Sequence, residues 1–126
     1  MKIVIMCGGR GKRMGHLTDD YPKPLSLIND KPVLGLKIEQ YINQGFNDFI
    51  FCIGYKGIMI KEYIKKHYNY INAEFYDSGI SAGILKRLYD VSHLYEKSII
   101  MTYGDTISKI VLKDFIESHN NSDNQI

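Results

Sequence analysis

The chain is predicted to be an α/β protein, with a mostly parallel sheet sandwiched between helices in a three-layer αβα arrangement. Two observations carry that prediction. Short apolar runs rich in β-branched residues alternate with longer stretches whose apolar residues recur at helical spacing, the signature of repeated strand–helix–strand units. The first apolar run ends abruptly in glycines and a later one ends in Tyr103-Gly104-Asp105, so polar chemistry gathers beyond the carboxyl ends of strands, where open α/β sheets hold their ligands.

The elements follow in order. Met1 to Cys7 (MKIVIMC) reads as a buried parallel strand opening into the loop of Gly8, Gly9 and Gly11. Pro32 suits the first turn of a helix carrying Leu34, Ile38, Tyr41 and Ile42 on one face and stopped by Gly45. Phe49 to Ile53 is the second strand. Lys56 to Lys66 reads as an amphipathic helix, with Ile60, Tyr63, Ile64 and His67 on one face. A short strand at Ala73 to Tyr76, a helix from about Ala82 to Leu94, a strand at Ser98 to Thr102 and a helix at Leu112 to His119 complete the pattern. One domain is expected over 1–118, followed by a polar, apolar-poor tail over 119–126. A four-strand sheet of this kind leaves an exposed edge, which makes a homo-oligomer one expected arrangement.

The stretch from Cys7 to Leu25, CGGRGKRMGHLTDDYPKPL, concentrates the chemistry. Glycine has no Cβ, so its backbone amides can approach a phosphate or a base edge closely. Lys12 and Arg13 follow at once, and a guanidinium fork suits phosphate oxygens. Pro22 and Pro24 fix φ on either side of Lys23, a stiff mount that aims one ammonium at one place. The loop is neither a GxGxxG dinucleotide fingerprint nor a GxxxxGK[ST] Walker loop. Taken alone the glycines could be a tight strand exit, and Gly104-Asp105 a turn or helix cap. Read together, on two strands of one sheet, they point to a phosphate site with a carboxylate placed for magnesium.

Composition narrows the classes. The chain has 126 residues, 44% of them hydrophobic and 24% charged, and its net charge of +2 gives no footprint for nucleic acid or a membrane surface. The apolar start is too short for a membrane span or a signal peptide, so a cytoplasmic protein is expected. Cys7 and Cys52 lie on different strands without metal spacing and read as reduced core thiols. His16, His67, His93 and His119 form no zinc-binding pattern.

GGxGxR followed by KPL, then Lys31-Pro32 before a helix, resembles the nucleoside triphosphate to sugar-1-phosphate nucleotidyltransferases. Gly8, Gly9, Gly11, Arg13 and Lys23 match position for position, while Lys12 stands where Thr or Ser is usual and Met14 where Leu is usual. Asn47 to Tyr63 and Asp77 to Arg87 (DSGISAGILKR) resemble the glucose-1-phosphate cytidylyltransferase branch, with its CGYKGxxIKEY segment and its DTG leading to TGGRLKR. Ile84 replaces an arginine of that branch. The resemblance implies a Rossmann-like, GT-A-like nucleotidyltransferase fold of which this chain covers the N-terminal half.

It further implies transfer of a nucleotidyl group from an NTP, with CTP favoured, to a sugar 1-phosphate. Arg13 and Lys23 would be catalytic, and Asp105 would hold Mg²⁺ as the metal cofactor. Gly8, Gly9, Arg10, Gly11, Lys12, Arg13, Ser81, Gly83 and Gly104 would surround the nucleotide. An NTP-binding half-domain or regulatory module without turnover is the alternative. The residues themselves leave a blander reading open for Tyr55 and Tyr63, which would pack, and for Lys86 and Arg87, which would lie on a solvated helix face.

Overall fold

The computed structural model describes residues 1–10, 20–95 and 97–123. In chain order these form β1 (Lys2–Met6), β2 (Leu27–Ile28), β3 (Lys31–Pro32), α1 (Val33–Ile42), β4 (Asp48–Ile53), α2 (Gly57–His67), β5 (Asn72–Asp77), α3 (Ile84–Asp90), β6 (Ile99–Tyr103) and α4 (Leu112–Asn120). A 3₁₀ turn at Lys23–Leu25 precedes β2, and another at Ser92–Leu94 follows α3.

The main sheet has the order β5-β4-β1-β6, and every pairing is parallel. β1 is central, with Ile3 opposite both Phe49 and Ile100. Its residues are apolar on both faces because both faces are covered, which is why KIVIM reads as a continuous run rather than an alternation. On one face Ile3, Ile5, Phe49 and Phe51 pack against Leu34, Ile38 and Tyr41 of α1, Ile60 and Ile64 of α2, and Leu112 of α4. On the other, Val4, Met6, Ile50 and Cys52 pack with Val91 and the partly buried Leu88 and Leu94. The result is the expected three-layer αβα architecture. Phe49 stacks on Phe51 along β4 with centroids 5.8 Å apart, and Phe51 stacks on Phe75 of the neighbouring β5 at 5.4 Å.

β2 and β3 form a small antiparallel hairpin that the periodicity reading did not contain. Its turn residues, Asn29 and Asp30, have φ of 49° and 64°, the pair of left-handed residues required by a tight two-residue turn. The helix expected over 82–94 is shorter, because α3 stops at Asp90 and the chain continues as the 3₁₀ turn. α4 runs through Asn120, into the polar stretch at the end of the chain. Among the described residues no helix is long and apolar enough to cross a membrane, and β6 has a neighbour on one side only.

Candidate functional site

The strand order reverses direction at β1: β4 and β5 lie to one side and β6 to the other. That reversal is a topological switch point, and the crevice beyond the carboxyl ends of such strands is the default ligand site of an open α/β sheet. A cleft of about 270 Å³ opens there. Among the described residues its walls are Met6 to Gly9 after β1, Lys23 and Pro24, Tyr103 and Asp105 at the end of β6, and Ala82, Gly83, Ile84 and Arg87 at the start of α3.

Lys23 and Asp105 meet in this cleft, with Lys23 Nζ 2.8 Å from Asp105 Oδ2. The Pro-Lys-Pro segment forms a 3₁₀ turn whose Pro24 is buried, so the lysine projects from a fixed base. Gly8, Gly9 and Gly83 also line the cleft. Gly104 does not: it is buried behind the wall, its N–H donates to Met6 O at 2.9 Å, and a Cβ there would stand 2.7 Å from Cys7 Sγ. Its role here is to let the exit of β6 approach the exit of β1. Arg10 lies with its guanidinium 4.2 Å over the Tyr55 ring, away from the walls, and Ser81 is exposed in the turn before α3. Gly11, Lys12 and Arg13 lie outside the described residues.

Arg87 corrects the expectation of a solvated helix face. Lys86 does point outward, where it pairs with Asp90 at 2.5 Å. Arg87 is 3% exposed. Its guanidinium donates to Ile53 O at 2.7 Å, Gly8 O at 3.1 Å, Gly79 O at 2.8 Å and, through Nε, Ala82 O at 3.1 Å. One cation thus ties together three chain segments, the exits of β1 and β4 and the 79–82 turn. The turn it grips is prepared locally: Gly79 has φ of +94°, and its N–H donates to Asp77 Oδ1 at 2.8 Å. Gly8 is obligatory beside it, since a Cβ at that position would fall inside the guanidinium.

A second buried cation was also missed. Lys37 of α1 is 2% exposed, and its ammonium donates to Thr102 Oγ1 at 2.7 Å and, at the limit of a hydrogen bond, to Thr106 Oγ1 at 3.5 Å. A signal existed in the sequence, because Lys37 falls on the stripe of Leu34, Ile38 and Tyr41 that the periodicity assigns to the core. Burial pulls the Lys37 ammonium below its usual range, and the nearby Asp105 carboxylate opposes that shift. Burial drives the Cys7 thiol far above its ordinary value, with Cys52 and Asp105 adding to the effect, so no thiolate nucleophile faces the cleft.

Among the described residues no three His, Cys, Asp or Glu side chains gather into a ready-made metal cage. Asp105 alone nevertheless suits magnesium, which keeps several waters and takes one or two carboxylates plus substrate phosphates. Among the described residues lining the cleft Asp105 is the one carboxylate, a donor set that such a metal could share with phosphate oxygens.

Comparison with known proteins matches the nucleotidyl transferase family model to residues 2–126. The chain belongs to the nucleotidyl transferase family. Within that family it is 34% identical to a probable glucose-1-phosphate cytidylyltransferase of Bacillus subtilis, over 94% of this chain and 56% of the relative. It is 39% identical to a D-glycero-alpha-D-manno-heptose 1-phosphate guanylyltransferase of Campylobacter jejuni, over 89% of this chain and 51% of the relative. The crystal structure of HddC from Yersinia pseudotuberculosis complexed with GMP-PN superimposes with a TM-score of 0.86 at 30% identity, over 97% of this chain and 55% of that one. The chain therefore spans about half the length of the nucleotidyl transferase relatives it matches. Those relatives differ in the nucleotide they use, cytidylyl and guanylyl transfer both being represented.

Proposed function

We propose that this chain forms the nucleotide-binding half of an enzyme that transfers a nucleotidyl group from an NTP to a sugar 1-phosphate, in the biosynthesis of nucleotide sugars. The observation that carries the reading is the convergence of Gly8 and Gly9, Lys23 and Asp105 in one cleft at the switch point. An oxygen of the sugar phosphate attacks the α-phosphorus in line. The new P–O bond forms as the bond to the β-phosphate oxygen breaks, and pyrophosphate leaves with that electron pair. No covalent nucleophile is needed, because positioning and charge neutralisation supply most of the acceleration.

The Gly8 and Gly9 amides face the triphosphate, Lys23 contacts the α-phosphate and the sugar phosphate, and Arg13 steadies the departing pyrophosphate. Asp105 holds Mg²⁺, which when bound neutralises phosphate charge. Gly83 borders the base or ribose, and Ser81 approaches from the adjoining turn. CTP is the favoured nucleotide on the strength of the cytidylyltransferase-like segments at Asn47 to Tyr63 and Asp77 to Arg87, with GTP its main competitor because of the guanylyltransferase relatives. The half-length match favours a second reading, in which the chain binds NTP and Mg²⁺ but does not turn over without further residues.

Thermal stability with CTP, GTP, UTP, dTTP, ATP and NAD, each with Mg²⁺ and with EDTA, tests the proposal. A ligand at about a hundred times its Kd adds roughly 2.7 kcal/mol. A Mg²⁺-dependent shift with CTP above the others is the expected result, and pyrophosphate release with glucose 1-phosphate then separates turnover from binding alone. Equal indifference to all triphosphates would overturn the nucleotide assignment.

A further inference from the structure

The segment that carries Asp105 has no regular structure of its own between β6 and α4, yet it is tied down at several points by α1 and the turn that follows it. Lys37 and Gln40 are spaced three apart on α1 and share a face, and Gln44 follows in the turn after the helix. Lys37 donates to Thr102 Oγ1 and Thr106 Oγ1, on either side of Asp105. Gln40 Nε2 donates to Ser108 O. Gln44 Nε2 donates to Ile110 O at 3.0 Å while its Oε1 accepts from Leu112 N at 2.7 Å, the first residue of α4. Thr106 Oγ1 closes the turn on itself, 3.4 Å from Tyr103 O.

Lys37 is the anomaly in this set. A lysine almost never lies fully buried, and its hydrogen bonds here end on neutral hydroxyls rather than a carboxylate. Taking an ammonium out of water is costly, and two neutral hydroxyls repay that cost only in part. The ammonium is therefore hard to account for by fold stability, and its placement directly behind the Asp105 turn offers another reason.

We propose that Lys37, supported by Gln40 and Gln44, is a positioning residue that holds the Asp105 carboxylate toward the cleft for metal binding. It acts through Thr102 and Thr106 and touches neither substrate nor metal. The proposal rests on the function proposed above in taking Asp105 as the metal carboxylate.

Lys37→Met keeps the length and removes both hydrogen bonds. Its CTP and GTP affinities in EDTA are expected to match wild type, whereas Mn²⁺ affinity with CTP or GTP present, read by electron paramagnetic resonance, weakens at least tenfold. Backbone amide exchange over 103–108 speeds up at least tenfold, with α2 unchanged. Mn²⁺ affinity within twofold of wild type, or unchanged exchange over 103–108, overturns the positioning role whatever the nucleotide result. If wild type binds neither nucleotide, the functional reading fails and this inference with it, and faster exchange in Lys37→Met would not rescue it. Should Lys37→Met fail to fold, Gln40→Met combined with Gln44→Met, at two positions outside the core, decides by the same two readouts.

Discussion

Lys23 Nζ and Asp105 Oδ2 lie 2.8 Å apart, so the cation expected to meet phosphate and the carboxylate expected to meet metal are paired with each other in the cleft. Binding of a metal–nucleotide complex would exchange one ion pair for two charge-matched contacts, leaving neither group unpaired at either stage.

The pair itself stabilises the fold little. Its side chains are 39% and 24% exposed, and ion pairs open to solvent are worth about 0–1 kcal/mol. A double-mutant cycle with Lys23→Met and Asp105→Asn should give a coupling below about 1 kcal/mol in urea denaturation. Asp105→Asn should leave the midpoint nearly unchanged and remove the Mg²⁺-dependent part of nucleotide binding. In an enzyme that turns over, Lys23→Ala should cost about 2–4 kcal/mol in kcat/KM. A loss seen only in KM would reduce Lys23 to a binding contact.

Arg87 should matter far more for stability than its neighbour. Arg87→Met removes four buried hydrogen bonds, leaving Gly8 O only the N–H of Tyr55 and Gly79 O only the N–H of Ala82, and the expected cost is about 2–4 kcal/mol, with nucleotide binding lost as well. Lys86→Met, at an exposed i,i+4 pair, should change the urea midpoint barely at all. Equal effects of the two substitutions would mean the buried guanidinium is dispensable.

The first two glycines of the loop should separate cleanly. A methyl group at Gly8 collides with a guanidinium that four carbonyls keep from moving, whereas among the described residues nothing lies within 4 Å of a methyl group at Gly9. Gly8→Ala should cost about 1–3 kcal/mol and Gly9→Ala much less. In an Arg87→Met background the Gly8→Ala penalty should shrink, and its persistence there would trace it to the backbone instead.

Stability should fall at alkaline pH. Burial raises Cys52 to about 11 from an ordinary 9.0 and raises Cys7 further. The folded state thus keeps protons that the unfolded state releases. The stabilisation is complete below pH 9 and is lost as pH rises, the Cys52 share running out near pH 11. Each thiol contributes a slope of up to about 1.4 kcal/mol per pH unit in its window. Tyr41 and Tyr68, also raised mainly by burial, join above pH 10. Urea unfolding at pH 8, 9 and 10 measures this, and a flat profile would show that the thiols reach solvent in the folded state.

What was legible in the sequence is what local chemistry determines. The four strands of the main sheet and helices α1, α2 and α4 fall within a few residues of their periodic patterns, because β-branched runs and helical stripes report burial directly. The β2–β3 hairpin escaped because two-residue strands have no period to detect, although Asn29-Asp30 carried a turn signal. Lys23, Asp105, Gly8, Gly9 and Gly83 line one cleft; strand-end placement anticipated Gly8, Gly9 and Asp105, whereas Lys23 and Gly83 came from the family resemblance. Arg87 and Lys37 were missed as buried groups for a shared reason. A cation inside a protein is justified only by its partners, and those partners are backbone carbonyls and hydroxyls far away in sequence.

The sheet order also sets a schedule for the making of this protein. β1 precedes both of its neighbours in the chain, so Ile3 waits for Phe49 on one side and for Ile100 on the other. Pairings of such long sequence separation are slow to close, and an unsatisfied apolar strand is prone to wrong partners meanwhile. KIVIM therefore leaves the ribosome as an orphan, and the glycine turn behind it has no floor until β6 has been made. Errors of synthesis or early stops before β6 would yield a polypeptide with its most adhesive segment exposed, a natural target for chaperones and quality-control proteases.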